Sequence, residues 1–325
     1  MIKYLFRHNK DYSRFNIIRQ FLEGLECERD VYVLLPFSKN QFFRNFFKRD
    51  RIVNDFFISN YDTYVYDRQK ITKANPRAWW KYFQDWVNFR CSRYLLSDTQ
   101  AHFDYWQSLF GAFGGKHFVL PVFADTTLYY PEEKTRPPER PLRILFYGSF
   151  IPLHGIDVIL QAFARMEAAG TAFEAEVIGT GQIYPQMRQL YDRLELQKVR
   201  MNGTFVNEAE LADTIRTYDV VLGVFGSSRK ARSVVPNKVY QGFACAKTVV
   251  TMRSSAIDEF FSPEDLIQCD NTPEALAAAL SALADEPVAA ERYAHTGHER
   301  FNTLYAETRE AFRSFVRDAG KKEEG

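Results

Sequence analysis

The stretch FYGSFIPLHGIDVILQAF, residues 146–163, decides the fold. An apolar run closes at Gly148, a short loop carries His154 and Gly155, and a periodic segment follows. Ile156, Ile159, Leu160, Phe163 and Met166 recur at i, i+3, i+4, i+7 and i+10, the spacing of one helix face. The order is therefore strand, glycine turn, helix. A helix that starts this way presents unpaired backbone N–H groups and a partial positive charge, which together suit a phosphate. Residues 234–250, VVPNKVYQGFACAKTVV, repeat the theme: an apolar strand at 219–225 leads into a basic loop, a helix and another strand. Two such helix starts in one half of the chain suit a diphosphate held between them.

The same alternation extends in both directions. Strands are expected at 1–6, 30–36, 62–66, 93–97 and 117–121, with helices at 14–26, 40–57, 77–91 and 99–110. Further strands are expected at 142–147, 174–178, 199–205, 219–225, 247–251 and 266–269. Ser262-Pro263 and Thr272-Pro273 each place a cap residue before a proline suited to the first helical position. Alternating strands and helices predict an α/β protein with parallel sheets covered by helices. The segment PEEKTRPPERP, 131–141, has no apolar pattern and four prolines, and reads as a linker. The expected organisation is a first domain over 1–130, the linker, a second domain over 142–300 and a last helix over 301–320 that packs back on the first domain. The tail KKEEG lies outside any pattern.

Composition agrees with two domains. A chain of 325 residues exceeds what one core usually serves. Most of its aromatic residues and all four tryptophans lie before residue 131, so the halves differ in character. A net charge of +1 selects no partner by itself, and nucleic acid is not expected. Four cysteines, far apart and without a CxxC pair, suggest neither a zinc site nor a disulfide framework, and point to a reduced, cytoplasmic compartment. The opening MIKYLFRHNKDY is too briefly apolar for a signal peptide and reads as a first strand. No window approaches the length of a membrane-spanning helix.

Three groups of residues are candidates for chemistry. Gly148, His154 and Gly155 form the first, where backbone approaches a ligand closely and His154 stands ready to meet a phosphate. Gly179 and Gly181, in VIGTGQ (177–182), follow a strand and precede a helix, but lack the third glycine of a dinucleotide fingerprint. In GSSRKARSVVPNKVYQ (226–241), Arg229, Lys230, Arg232 and Lys238 cluster without an acid, and Pro236-Asn237 set Lys238 at a helix start. The alternative readings are tight structural turns and a solvated basic loop.

Taken together, GSFIPLHGID, GTGQ, NGTFVNEAEL and FGSSRKARSVVPNKVYQ resemble the donor half of retaining glycosyltransferases of family four, which have the two-domain GT-B fold. The resemblance covers about residues 142–260. It implies two Rossmann-like, doubly wound domains facing a central cleft, with a nucleotide-sugar donor between them. By that resemblance Gly148, Ser149, Phe150, His154, Gly155, Gly179 and Gly181 line the donor, Lys230, Asn237 and Lys238 hold its diphosphate, and Phe205 and Val206 meet the base. Gln241 stands where the family commonly has a ribose-binding glutamate. The other usual glutamate falls at Ser233, and the family's frequent lysine before the first-motif glycine is replaced by His154. The implied reaction is transfer with retention to a glycan or lipid-linked acceptor, without metal or further cofactor; UDP and GDP both remain open as the donor nucleotide. The fold also admits a sugar-nucleotide epimerase, and the missing glutamates admit a binding relative without turnover.

On the acceptor side His8, Asp67, Arg68, Asp98 and His102 follow expected strands. Asp98 and His102 join Lys238 as candidate catalytic residues, although Asp98 also suits an N-cap. Residues 38–57 interleave phenylalanines with Arg44, Lys48, Arg49 and Arg51. That segment either contacts a membrane surface peripherally at its cytoplasmic face, or turns Phe43, Phe46 and Phe47 inward.

Overall fold

In a computed structural model that describes residues 1–6, 13–132 and 140–322, the chain divides into two units. One comprises Met1–Phe123 with Tyr305–Gly325, the other Ala124–Leu304. His8 and most of the proline-rich linker lie outside the described residues.

The first unit runs β1 (Ile2–Leu5), α1 (Ser13–Leu22), β2 (Val31–Leu34), α2 (Asn40–Arg44), β3 (Ile52–Asp55), α3 (Asn60–Asp62), α4 (Pro76–Cys91), β4 (Tyr94–Ser97), α5 (Gln100–Phe110) and β5 (Lys116–Val119). Its strands are parallel and lie in sequence order. Side chains alternate between faces of a strand, and Leu95 packs with Phe56, Phe89, Phe103 and Trp106. Its neighbour Tyr94 points the other way and meets Phe315 at 5.5 Å between ring centroids.

Two expectations fail here for physical reasons. The third strand is Ile52–Asp55, inside the expected helix 40–57, whose remainder is α2 and a 3-10 segment over Phe46–Arg51. The polar residues of IVND disguise it. Asn54 is buried and donates to Ser92 Oγ at 2.9 Å. Asp55 is buried against the Arg14 guanidinium, which binds both its oxygens and also donates to the Leu120 carbonyl at 2.8 Å. Residues 62–66, read as a strand, instead form helical turns. Ser59 caps the start by accepting from the Asp62 amide, and Asp62 Oδ1 accepts from the Tyr105 hydroxyl at 2.6 Å.

The second unit runs β6 (Leu142–Tyr147), α6 (Ile156–Ala168), β7 (Phe173–Ile178), α7 (Tyr184–Leu194), β8 (Val199–Asn202), α8 (Glu208–Arg216), β9 (Val220–Leu222), α9 (Arg229–Ser233), α10 (Asn237–Ala244), β10 (Thr248–Met252), α11 (Ser255–Asp258), β11 (Ile267–Cys269) and α12 (Pro273–Asp285). A last helix, α13 (Pro287–Ala319), begins well before the expected residue 301, and its residues from Tyr305 belong to the first unit. Thr272 caps α12 with Pro273 at its start, whereas Ser262-Pro263 makes only a turn closed by Asp265.

All strands of this second sheet are parallel, in the order β11-β10-β9-β6-β7-β8. The chain leaves β6 in one direction, then returns to build from β9 in the other. Between β6 and β9 the loops diverge to opposite faces, which opens a crevice at the carboxyl ends of the strands. The core beneath is the stripe expected of α6, with Ile156, Ile159, Leu160, Phe163 and Met166 all buried.

The loops flanking the crevice are joined backbone to backbone. The Phe225 amide donates to the His154 carbonyl at 3.0 Å and the Gly226 amide to the Leu153 carbonyl at 3.1 Å. On the other side the Gly148 amide donates to the Ile178 carbonyl at 3.0 Å and that of Phe150 to the Thr180 carbonyl at 2.9 Å. Such contact requires glycine. At Gly155, in left-handed conformation with φ +61°, a Cβ would sit 2.1 Å from the Phe225 carbonyl oxygen; at Gly179 it would sit 2.0 Å from that of Gly148.

Substitution separates the two costs. Gly170 shares the left-handed conformation, with φ +74°, but has open space around it. Gly170→Ala should cost about 1 kcal/mol of backbone strain. Gly155→Ala adds steric overlap and should cost about 3 kcal/mol or more. Denaturant midpoints of the two variants check the difference; equal midpoints would show that the loop contact is soft.

Candidate active site

The crevice of the second unit is built from helix starts left open. Asn207, Ser228, Ser254 and Thr272 cap α8, α9, α11 and α12 through their side chains. The starts of α6, α7 and α10 have no side-chain cap. These three helices follow the loops after β6, after β7 and beyond β9, on the rim where strands end. Uncapped first-turn amides are donors in need of an acceptor, and the helix dipole favours an anion there.

Lys238 stands in the first turn of α10. Its side chain is buried, its Nζ lies 4.1 Å from the centre of the Phe146 ring, and no hydrogen-bond partner among the described residues reaches it. Burial alone lowers its pKa to about 7. A Cβ on Gly148 would come within 3.2 Å of that Nζ and 3.0 Å of His154 Cε1. The structure therefore gathers Gly148, His154 and Lys238 around one point. Phe146 was missed by the sequence reading, yet period-two alternation put it on the same side as Gly148.

His154 is not the cation expected of it. Burial and the neighbouring Lys238 charge push its pKa well below the ordinary value, against the pull of the Ser149 carbonyl. Its Nδ1 donates to that carbonyl, which leaves the Nε2 lone pair unprotonated. The Lys238 charge thus disfavours protonation of His154, while Lys238 itself answers to burial alone.

The other donor-side residues sort by position. Ser149 is exposed, and its carbonyl orients His154. Phe150 does not line the crevice: it is fully buried against Tyr184, so only its backbone belongs to the loop. Gly179 is buried behind Gly148, while Gly181 is exposed. Phe205 is 88% exposed on the loop after β8, with Val206 half-buried beside it. Asn237 is exposed at the first position of α10, and Lys230 is half-buried on α9. Ser233 is buried and donates to the Arg229 carbonyl.

Gln241 is occupied elsewhere. Its Oε1 accepts from the Tyr147 hydroxyl at 2.8 Å, and its Nε2 donates to the Tyr129 hydroxyl at 2.9 Å. An amide joins two hydroxyls in this way because it both accepts and donates. The expected ribose contact is replaced by a buried Tyr147–Gln241–Tyr129 chain.

In the first unit Thr99, not Asp98, caps α5 by accepting from the His102 amide at 2.9 Å. Asp98 is thereby released to accept from His102 Nδ1 at 2.6 Å. Both side chains are buried, the His102 ring lies 4.1 Å from that of Trp106, and His102 Nε2 has no partner among the described residues. Asp67 is buried and Arg68 exposed just after the helical turn that replaces the expected strand.

Residues 141–286 match the family model described as glycosyl transferases group 1. Over 219 residues the chain is 27% identical to D-inositol 3-phosphate glycosyltransferase of Kineococcus radiotolerans, covering 59% of this chain and 49% of that protein. It thus spans about half the length of the curated relative it matches. Sucrose-phosphate synthase from Thermosynechococcus elongatus has a similar fold, with a TM-score of 0.66 and 14% identity over 93% of this chain and 76% of its own. Anabaena HepE, solved with UDP and glucose, gives 0.61 and 12% over 97% and 98% of the two chains. At these identities the structures speak to fold alone: two parallel-sheet α/β units of the GT-B class.

The buried lysine generates a paired prediction. An unfolded lysine keeps its proton to about pH 10.4, whereas Lys238 in the folded chain releases it near 7. The unfolded state therefore binds more protons between those values, so this residue makes stability rise with pH across that window. Lys238→Met removes the burden and should raise the melting temperature of the ligand-free protein, most clearly below pH 7. The same variant should lose diphosphate binding. In the native chain, binding must recharge Lys238, so affinity for a nucleoside diphosphate should fall by up to about tenfold per pH unit above 7. Calorimetry in buffers of different ionisation enthalpy would reveal the accompanying proton uptake; affinity independent of pH would refute the assignment.

Proposed function

We propose that this chain, whose second unit is a glycosyl transferase group 1 domain, moves a hexosyl group from a nucleotide-sugar donor to a glycan or lipid-linked acceptor with retention of configuration. The observation that carries the proposal is the buried Lys238 ammonium, without a hydrogen-bond partner, beside Gly148, His154 and open helix starts. A desolvated cation of this kind is costly unless an anion completes it. A pyrophosphate supplies that anion and also takes the uncapped amides of α6 and α10.

In this reading the donor diphosphate lies over Gly148 and Gly155, with Lys238 and Lys230 as its cations and Asn237 at the start of α10. Phe205 and Val206 offer a face to the base, uracil or guanine. His154 gains a proton, or turns its neutral ring toward the sugar, once the phosphates enter. The bond from the anomeric carbon to the departing phosphate oxygen breaks while the acceptor hydroxyl attacks from the same face. Its proton passes to a phosphate oxygen of the leaving nucleoside diphosphate. Negative charge grows on that phosphate, and cations already in place stabilise it without reorganisation. The protein's own lysine and amides supply this, so neither metal nor cofactor is invoked.

In the first unit the reading assigns acceptor orientation to Asp98 and His102. Asp98 fixes the imidazole with its proton on Nδ1, which leaves Nε2 as an acceptor for a sugar hydroxyl. The compartment we assign is the cytoplasm. Among the described residues no helix is long and apolar enough to cross a membrane.

Thermal unfolding against UDP, GDP, ADP and their sugars tests donor binding. A ligand at about 100 times its dissociation constant should stabilise by about 2.7 kcal/mol. Turnover with the responding donor should yield a product of unchanged anomeric configuration, insensitive to chelator. Lys238→Met should lower kcat by about 100-fold or more, as loss of a pre-placed charge does. Silence toward every nucleoside diphosphate would end the proposal. Binding without transfer or donor hydrolysis would favour the non-catalytic alternative, which the substitution of both usual carboxylates by Ser233 and Gln241 supports.

A further inference from the structure

The first unit carries an exposed aromatic surface that the donor site does not use. On α4, Trp79 and Trp80 are 69% and 59% exposed, with Phe83 and Trp86 also at the surface. Trp80 and Phe83 stack at 5.9 Å, and Phe83 and Trp86 at 6.4 Å, so the rings form a strip along the helix. Beside it α2 and the following 3-10 segment add Phe43 and Phe47, the latter 98% exposed. Gln84 on α4 donates to Asn40 on α2 at 3.1 Å, and a 430 Å³ groove lies between Phe43, Arg44 and Trp80. Within residues 38–57 Phe42 and Phe56 are buried and Phe46 packs half-buried against the core, as expected of it, while Phe43 and Phe47 remain at the surface. One soluble surface rarely exposes so many large rings without a partner.

The charges around the strip are segregated by burial. Of the acids in residues 37–90, Asp55, Asp62, Asp67 and Asp85 are buried. Asp55 is held by Arg14, Asp62 by Tyr105, and Asp85 by Lys39, Ser59 and the Tyr61 amide. Asp50 alone of those acids reaches the surface, where Arg51 meets it at 3.7 Å. Of the many bases in the same stretch only Lys39 is buried. Arg44 lines the groove with Trp80, Arg77 and Lys81 lie on α4 itself, and Lys48 and Arg49 follow α2, so the bases of this stretch stay near the surface while four of its five acids are buried.

We propose that the α2–α4 face docks on an anionic lipid bilayer. Tryptophan favours the bilayer interface, where its ring is apolar and its N–H stays wet, and cations beside it meet lipid phosphates. The combination of apolar helix face and basic rim is that of an interfacial helix lying in the membrane plane. A second copy of the chain fits less well, because a two-fold contact through this face would set cations against cations. The inference rests on the surface of the first unit alone, independent of sugar transfer.

Vesicle flotation of the full chain tests it, with phosphatidylcholine vesicles compared with vesicles containing about one-third phosphatidylglycerol, a charge density at which each nearby base contributes about 1 kcal/mol. Binding should be at least about tenfold tighter to the anionic vesicles and should weaken in high salt. Tryptophan fluorescence should shift to shorter wavelength as Trp79, Trp80 and Trp86 leave water. The triple variant Arg44→Gln, Arg77→Gln, Lys81→Gln should weaken binding on the order of 100-fold. The variant Trp79→Ser, Trp80→Ser, Trp86→Ser should lose both partition and the fluorescence shift; near-native circular dichroism of both variants guards against misfolding. Equal affinity for neutral vesicles, affinity for neither, or a tryptophan-dependent dimer by sedimentation would overturn the proposal.

Discussion

The second unit depends on one close contact, the Gly155 backbone against the Phe225 carbonyl. At a topological switch point two loops must lie side by side although their helices diverge to opposite faces of the sheet. A side chain at Gly155 would force them apart, since its Cβ would fall 2.1 Å from that oxygen. With glycine there, the Phe225 amide reaches the His154 carbonyl and the two loops become one rim. The position of His154, and of the α6 start that follows it, descends from this contact. Because Phe225 precedes the segment that leads to α10, the same contact helps set Lys238 opposite Gly148.

The rim so built is energetically incomplete without an anion. Lys238 has been taken out of water and has an aromatic ring, not an acceptor, beside it. A cation over a ring face recovers about 2 kcal/mol when desolvated, far less than a carboxylate partner would. Nearby His154 offers no relief: burial and the Lys238 charge hold its own pKa well below the ordinary value, and burial alone lowers that of Lys238. A sequence under selection for stability alone would place methionine at such a position. Lysine there is what the proposed function accounts for, with the diphosphate as its partner.

The sequence made the glycines legible because their spacing coincided with a change of period, from strand to helix. The lysine was legible because proline and asparagine fixed it at a helix start. What burial does to a side chain was not legible. Phe150 and Gln241 sit within motifs that face a ligand, but Phe150 turns into the core against Tyr184 and Gln241 is drawn inward by two tyrosines. Those tyrosines are distant in sequence, at 129 and 147, so no local pattern announces them. The strand Ile52–Asp55 was hidden for a related reason: Asn54 and Asp55 look solvated until their partners Ser92 and Arg14 are seen. At Asp98-Thr99 either residue suits a cap, and only the bond from His102 Nδ1 to Asp98 shows why the hydroxyl takes that role.

The two units treat unneutralised cations in opposite ways, and the contrast bears on what each meets. In the second unit a single ammonium is buried, at a cost that only a compact, well-placed anion offsets. Gly148 lies close against it, and a Cβ there would come within 3.2 Å of the Lys238 Nζ. In the first unit the bases stay in water, where each costs little and binds little, and the acids that would neutralise them have been drawn into the core by Arg14, Lys39 and Tyr105. Those buried acids hold the core together through these partners, yet their removal from the surface leaves a field without a matching point of attachment. Such a field acts on an extended anionic surface by addition over many weak contacts, and exposed tryptophans convert proximity into burial. On the two proposals one chain carries both forms of anion recognition, discrete and diffuse, and burial of charged side chains underlies each of them.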